Sequence, residues 1–80
     1  MAAMRRRKVL TQAFGRVVRE ARLRAGMSQE RLAFRASVHP TYISQLERGL
    51  KSPSIEVVAS IAKALREKPH ALIKAAEEAE

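Results

Sequence analysis

Four polar side chains recur at helical spacing near the middle of the chain: Thr41, Ser44, Gln45 and Arg48. This spacing would place them on one face of a helix. The chemistry of that face suits nucleic acid. Glutamine can bond adenine through two atoms, threonine can contact a thymine methyl group, and arginine can bond guanine or a phosphate. A solvated helix face would show the same pattern, so the neighbouring residues must decide between the two interpretations.

A short helix is predicted just before this face, beginning after Ser28. The hydroxyl of Ser28 can cap the helix by accepting a hydrogen bond from a free N–H of the first turn. Leu32, Ala33 and Ala36 give the helix one narrow apolar face. Because Ala33 is small, a second helix can cross closely at that point.

The helix that carries the polar face is predicted to begin at Pro40 and to end before Gly49. Proline needs no backbone donor at the first helical position, and it holds the preceding His39 in the extended conformation of an N-cap. Apolar residues at three- and four-residue spacing should face inward, namely Ile43, Leu46 and Leu50. The two helices and their tight turn predict a helix-turn-helix, whose second helix reads DNA in the major groove.

One further helix is predicted before this pair, from about Gln12 to Ala25, with Thr11 as its cap. Gly15 lies in its interior, which indicates either a close contact with another element or simple tolerance. A fourth helix should begin after Ser54 and end near Leu65. Its inward face is predicted from Ile55, Val58, Ile61, Ala62 and Leu65.

A fifth helix is predicted to begin at Pro69, again with proline in the first turn. The chain is therefore predicted to be all-α. Its 80 residues allow one domain, and the absence of cysteine excludes a disulfide framework or a zinc finger. The apolar run 57–62 is too short to span a bilayer, and the basic start lacks a secretion signal. A cytoplasmic protein without membrane contact is expected.

Positive charge is concentrated in the first part of the chain. Residues 1–51 carry a net charge of +9 and residues 52–80 a net charge of −1, within a total of +8. The basic part contains the helix-turn-helix, as expected for a surface that faces phosphates. Residues 1–10 are predicted to form a basic, disordered tail, and residues 11–80 a single helix-turn-helix domain.

The residue types do not indicate catalysis. His39 and His70 are the only histidines, they fall on different predicted helices, and the chain has no aspartate. No glycine-rich phosphate loop is present. We therefore predict no catalytic residue, no metal ligand, no cofactor and no small-molecule ligand.

The stretch SQERLAFRA-SV-HPTYISQLERG resembles the helix-turn-helix of phage-repressor and Cro-like regulators, also called the xenobiotic-response-element family. The family's apolar and small positions are occupied here by Leu32, Ala33, Ala36, Val38, Ile43 and Leu46. The resemblance covers roughly residues 12–74. The run YISQLERG followed by Ser-Pro-Ser is similar to controller proteins of restriction–modification systems. The resemblance implies a compact, five-helix, lambda-repressor-like DNA-binding domain.

Two residues depart from the family pattern. Ser37 stands in the turn where the family usually has glycine, and a positive φ there costs serine about 1 kcal/mol. Pro40 stands where the family often has a polar or basic residue, and proline offers no donor to a base. The resemblance also implies an ion pair between Arg22 and Glu47. The alternative is a local role for Glu47, as a cap or in a pair with Lys51 or Arg48.

The predicted function is sequence-specific binding of double-stranded DNA by a transcription regulator that acts as a homodimer. Base reading is assigned to His39, Pro40, Thr41, Ser44 and Gln45. Phosphate contacts are assigned to Gln29, Arg48, Lys51 and Ser52. The dimer surface is assigned to the fifth helix with the end of the fourth, anchored by Leu72 and Ile73. The alternative is an interaction module, antitoxin-like for example, whose main partner is another protein.

Overall fold

The computed structural model of the chain describes the backbone of residues 2–80 and the side chains of residues 9–80. Residues 2–80 form five α-helices and no strand, which confirms the predicted all-α class. The helices are α1 (Ala2–Arg24), α2 (Gln29–Ala36), α3 (Pro40–Glu47), α4 (Ile55–Leu65) and α5 (Pro69–Glu78). None of these helices is both long enough and apolar enough for a membrane span.

The last four helices begin where local signals predicted. Ser28, His39 and Ser54 each accept a hydrogen bond from a backbone N–H of the helix that follows, at 3.0, 3.1 and 3.1 Å respectively. Pro40 and Pro69 occupy the first turns of α3 and α5. These caps satisfy donors that a helix start would otherwise leave free.

The first helix is longer than predicted. It begins at Ala2, whereas the sequence indicated a start near Gln12 with Thr11 as the cap. Residues 2–10, expected as a disordered tail, are the first turns of α1 in the structure. The physical reason is that this segment contains no glycine or proline and consists largely of good helix formers. The division of the chain into tail and domain at residue 10 stays a prediction.

The apolar faces of the five helices meet in one core. Its largest fully buried side chains are Val18, Leu32, Ile43, Leu46 and Ile61. Two residues predicted to face inward are instead exposed, Leu50 at 62% and Ile55 at 83%. Leu50 lies beyond the end of α3, where the positive φ of Gly49 (76°) redirects the chain. Ile55 is the first residue of α4, before that helix reaches the core.

The turn between α2 and α3 is made without glycine. Ser37 adopts the left-handed conformation, with φ 58° and ψ 41°. The backbone N–H of Val38 then donates to the carbonyl oxygen of Ala33 at 3.0 Å, which closes the end of α2. Serine therefore occupies the position at which the family pattern has glycine, at a cost of about 1 kcal/mol.

Gly15 marks a close approach of α1 to the end of α3. A Cβ added at this residue would overlap the carbonyl oxygen of Leu46 and lie 2.9 Å from that of Glu47. Real Cβ atoms do not approach backbone that closely, so the contact requires glycine. Because Gly15 has no side chain, the end of α3 can pack directly against α1 at this point.

Candidate nucleic-acid interface

The outer face of α3 and its N-cap collects the residues predicted to read bases. His39, Pro40 and Thr41 are exposed, while Ser44 and Gln45 are half-buried. The opposite face of the helix is buried, with Ile43, Leu46 and Glu47 all turned into the domain. The helix is therefore fixed on one side and presents a continuous polar surface on the other.

The cap of α3 also determines the chemistry of His39. Its Nδ1 accepts the backbone N–H of Thr41 at 3.1 Å, so this nitrogen carries no proton. In the neutral imidazole the proton is then on Nε2, which is a hydrogen-bond donor. His39 therefore adds a donor at the start of α3, next to Pro40, which has none.

A buried ion pair ties α3 to α1. Arg22 Nε donates to Glu47 Oε2 at 2.7 Å, and Arg22 Nη2 donates to Glu47 Oε1 at 3.0 Å. A third bond runs from Arg22 Nη1 to the carbonyl oxygen of Met27 at 2.8 Å, in the turn before α2. The hydrogen bond to Glu47 raises the pKa of Arg22 above its ordinary value, against the opposing effect of burial.

The ion pair implied by the family resemblance is therefore present. Among the described residues, Glu47 forms no salt bridge with Lys51 or Arg48. The two side chains are only 9% and 2% exposed. Such a two-bond arginine–carboxylate pair holds both groups in fixed orientation. The C-terminal end of α3 therefore cannot move without breaking it.

Gln29 forms a hydrogen bond within the protein that the sequence did not predict. It was assigned to phosphate, but its Nε2 donates to Glu47 Oε1 at 3.0 Å. The bond joins the first turn of α2 to the end of α3. One amide hydrogen of Gln29 remains for a phosphate, so its phosphate contact stays a prediction that must use that hydrogen.

The other predicted phosphate ligands follow α3 directly. Arg48, Lys51 and Ser52 are exposed on the segment between α3 and α4. Two cations and a hydroxyl group therefore lie close along the chain to the polar face of α3. Tyr42 of α3 packs against the core and had no role assigned from the sequence. It is half-buried on α3, and burial raises the pKa of its phenol.

The predicted dimer anchors separate in the structure. Leu72 is 3% exposed and belongs to the core, so it has no surface left for a partner, and its assignment was wrong. Ile73 is 37% exposed. Periodicity alone could not decide which of two adjacent apolar residues on α5 would turn inward.

Ile73 lies at an apolar groove between α1, the segment after α3, and α4. The groove is lined by the apolar residues Leu10, Phe14, Pro53, Val58 and Ile73 and by the hydroxyl-bearing residues Thr11 and Ser52. Ile55, 83% exposed, precedes Val58 by one helical turn and so lies on the same side of α4. This surface is the main candidate for protein contact that the structure adds.

The fold and this face define a helix-turn-helix protein, and comparison with known families agrees. The chain belongs to the helix-turn-helix family, whose model matches residues 18–72. Within that family it is 46% identical over 61 residues to the control protein C.BamHI of Bacillus amyloliquefaciens, with 75% of each chain covered. The resemblance to controller proteins seen in the sequence is confirmed.

Two solved structures show the same likeness. The structure superposes with a TM-score of 0.76 on the restriction–modification controller protein C.AhdI from Aeromonas hydrophila, at 35% identity, covering 78% of this chain and 94% of that one. It superposes with a TM-score of 0.78 on the controller C.Esp1396I, solved as a tetramer in complex with its natural 35 base-pair operator. The identity there is 29%, and the superposition covers 86% of this chain and 91% of that one.

Proposed function

We propose that this chain is a sequence-specific DNA-binding transcription regulator, which places α3 in the major groove of a near-palindromic operator as a homodimer. The observation that carries the proposal is the division of α3 into two faces. Its inner residues Ile43 and Leu46 are fully buried, while Thr41 and Gln45 lie on the opposite side. The role is regulatory rather than catalytic, and it belongs in the compartment that holds the DNA, the cytoplasm.

Base reading would fall to His39, Thr41, Ser44 and Gln45, with Pro40 limited to apolar contact. Each good contact should discriminate against a wrong base by ~1–3 kcal/mol. Arg48, Lys51 and Ser52 would bind phosphates and so fix the register of the protein on the duplex. The buried Arg22–Glu47 pair supports this use of α3, because reading a base requires a helix that does not reorient.

The dimer surface we propose is the apolar groove with Ile73 and Ile55 at its edges. These two exposed side chains, and not Leu72, are available for a partner. A two-fold dimer would place the two α3 helices against half-sites about one helical turn, ~34 Å, apart. The related C.Esp1396I, solved as a tetramer on its operator, supports DNA binding as an assembly.

Selection of bound sequences from a random DNA pool tests the function. A specific regulator should enrich one near-palindromic site and prefer it by ~10³-fold or more over random DNA. The Gln45→Ala variant should lose preference at one base position of each half-site. The matched control is Gln12→Ala, which removes an exposed glutamine from α1 and should preserve the selected site.

A protein that binds DNA by charge alone would give the opposite result in this selection. A protein that only neutralises phosphates would bind every sequence with one affinity and a steep dependence on salt. Enrichment of no site, together with equal behaviour of Gln45→Ala and Gln12→Ala, would rule out the proposed function.

A further inference from the structure

The fold fixes the hydrogen-bonding character of the His39 ring. Its Nδ1 accepts the backbone N–H of Thr41 at 3.1 Å, and the backbone of His39 is extended, with φ −74° and ψ 143°. Pro40 favours this conformation, because its ring disfavours a helical residue before it. A ring turned by half a rotation, or one protonated on Nδ1, would lose the cap of α3. The neutral imidazole therefore carries its proton on Nε2.

The Nε2–H group of His39 is available to a ligand. The residue is exposed, and Nε2 lies farther from the Cβ atom than Nδ1 does. Among residues 9–80, the ring forms no hydrogen bond besides the cap, and the first turn of α3 contains no acidic residue to attract the Nε2 hydrogen. The N-terminal residues of a recognition helix are those that contact base edges. This donor therefore lies where a base edge can meet it.

The other outer groups of α3 can adapt to a base, whereas His39 cannot. The hydroxyl groups of Thr41 and Ser44 donate or accept according to their rotation, and the amide of Gln45 offers both a donor and an acceptor. His39 offers only a donor, because a change of tautomer would set its Nδ1–H against the N–H of Thr41. Of these four side chains, His39 should therefore discriminate most sharply between base edges that accept a hydrogen bond and edges that donate one.

We propose that His39 determines one base of each half-site, by donating from Nε2 to guanine and rejecting cytosine. In the major groove guanine presents two acceptors, N7 and O6, whereas cytosine presents only the N4 amino donor. Adenine and thymine each present one acceptor, beside a donor or a methyl group, and should rank between them. The inference rests on the proposed function, because it requires α3 to lie in the major groove.

Nitrogen NMR of the imidazole rings tests the tautomer without DNA. At about pH 8.5, above the ordinary titration range of histidine, His39 should carry its proton on Nε2 alone. His70 is the matched control, because it is exposed in the first turn of α5. Its ring forms no hydrogen bond within the part of the chain whose side chains the structure describes. The His70 ring should therefore show a mixture of the two tautomers.

Replacing the donor by an acceptor tests the base contact. His39→Asp keeps a residue that caps α3 well, but its second oxygen can only accept. In the selection from a random DNA pool, wild type should prefer guanine over cytosine at one position of each half-site by about fivefold, the effect of one net hydrogen bond. His39→Asp should select cytosine there, because a carboxylate accepts from cytosine N4. His39→Ser also caps the helix but is too short to reach a base, and it should lose the preference.

The matched control in the selection is His70→Asp, which makes the same replacement and the same change of charge on α5. It should select the same site as wild type. Urea unfolding of the two His39 variants should show stabilities close to that of wild type, because aspartate and serine are both good caps. A changed base preference would then report the contact and not a loss of structure.

Two kinds of result would overturn the inference alone. One is a His39 ring that carries its proton on Nδ1 or shows the same mixture of tautomers as His70. The other is a His39→Asp or His39→Ser variant that selects the wild-type bases, or that binds all sequences more weakly by the same factor, because the ring would then contact solvent or phosphate. Enrichment of no site by wild type would overturn the proposed function and the base contact together, whatever the tautomer.

Discussion

Replacing Glu47 with alanine should destabilise the domain severely. The Glu47 carboxylate accepts two of the three hydrogen bonds donated by the Arg22 guanidinium and one from Gln29. Its removal leaves a guanidinium in a site where that side chain is 9% exposed. An unpaired buried charge of this kind costs about 3–5 kcal/mol. A core of this size rarely contributes more than about 3–5 kcal/mol, so Glu47→Ala should leave little net stability.

Thermal and urea unfolding followed by circular dichroism measure this effect. At about 4–8 °C per kcal/mol for a domain of this length, the Tm of Glu47→Ala should fall by at least about 12 °C. Arg22→Met should be less damaging than Glu47→Ala, because Gln29 still donates to the Glu47 carboxylate. The double variant Arg22→Met/Glu47→Leu should be more stable than Glu47→Ala, because it leaves no buried charge.

Two outcomes would refute this reasoning. A loss below about 1 kcal/mol for Glu47→Ala would mean that the pair is solvated and weak. Strict additivity in the cycle of Arg22→Met, Glu47→Leu and the double variant Arg22→Met/Glu47→Leu would mean that the two side chains do not interact. The matched control is Glu20→Ala, which removes an exposed glutamate from α1 and should change stability by no more than about 0.5 kcal/mol.

Three smaller perturbations follow from the backbone and from Tyr42. Gly15→Ala should lower stability by ~1–3 kcal/mol in urea, because its Cβ meets backbone oxygens; a gain, as helix propensity alone predicts, would contradict the close contact. Ser37→Gly should raise the urea midpoint, because glycine adopts the left-handed conformation without the strain that serine carries. The expected gain in stability is up to about 1 kcal/mol. An unchanged or lower midpoint would contradict the strain. Burial raises the pKa of Tyr42. The stability contributed by the buried, protonated phenol is complete below about pH 10, and it is lost as the pH rises through the folded-state pKa. Between pH 9 and 11, roughly the titration range of tyrosine, wild type should therefore lose more stability than Tyr42→Phe; parallel losses would contradict it.

The sequence predicted the fold where the deciding signals are local. Ser54 and Pro69 mark helix starts through a hydroxyl acceptor and a missing donor, effects that need no knowledge of the tertiary structure. Prediction failed where packing decides. Ile55 and Leu50 fit an apolar period but lie where the helices have left the core, and only the path of the chain reveals that.

The candidate site divides in the same way. The outward stripe with Thr41 and Gln45 follows from helical periodicity, which needs only the sequence. The bond between Arg22 and Glu47 joins residues 25 apart, and it was anticipated through family resemblance rather than spacing. The bond of Gln29 to the same carboxylate was missed, because a polar residue at a helix start is equally suited to phosphate or to a neighbouring side chain.

The contact at Gly15 has a consequence for how operator preference can change in evolution. The residue touches the backbone at the end of α3 but belongs to another helix. A larger residue there would displace the reading helix without altering any side chain that faces a base. Genetic selection for a new operator should therefore recover changes at residue 15 as well as on α3, and two descendants with identical reading helices could come to recognise different genes.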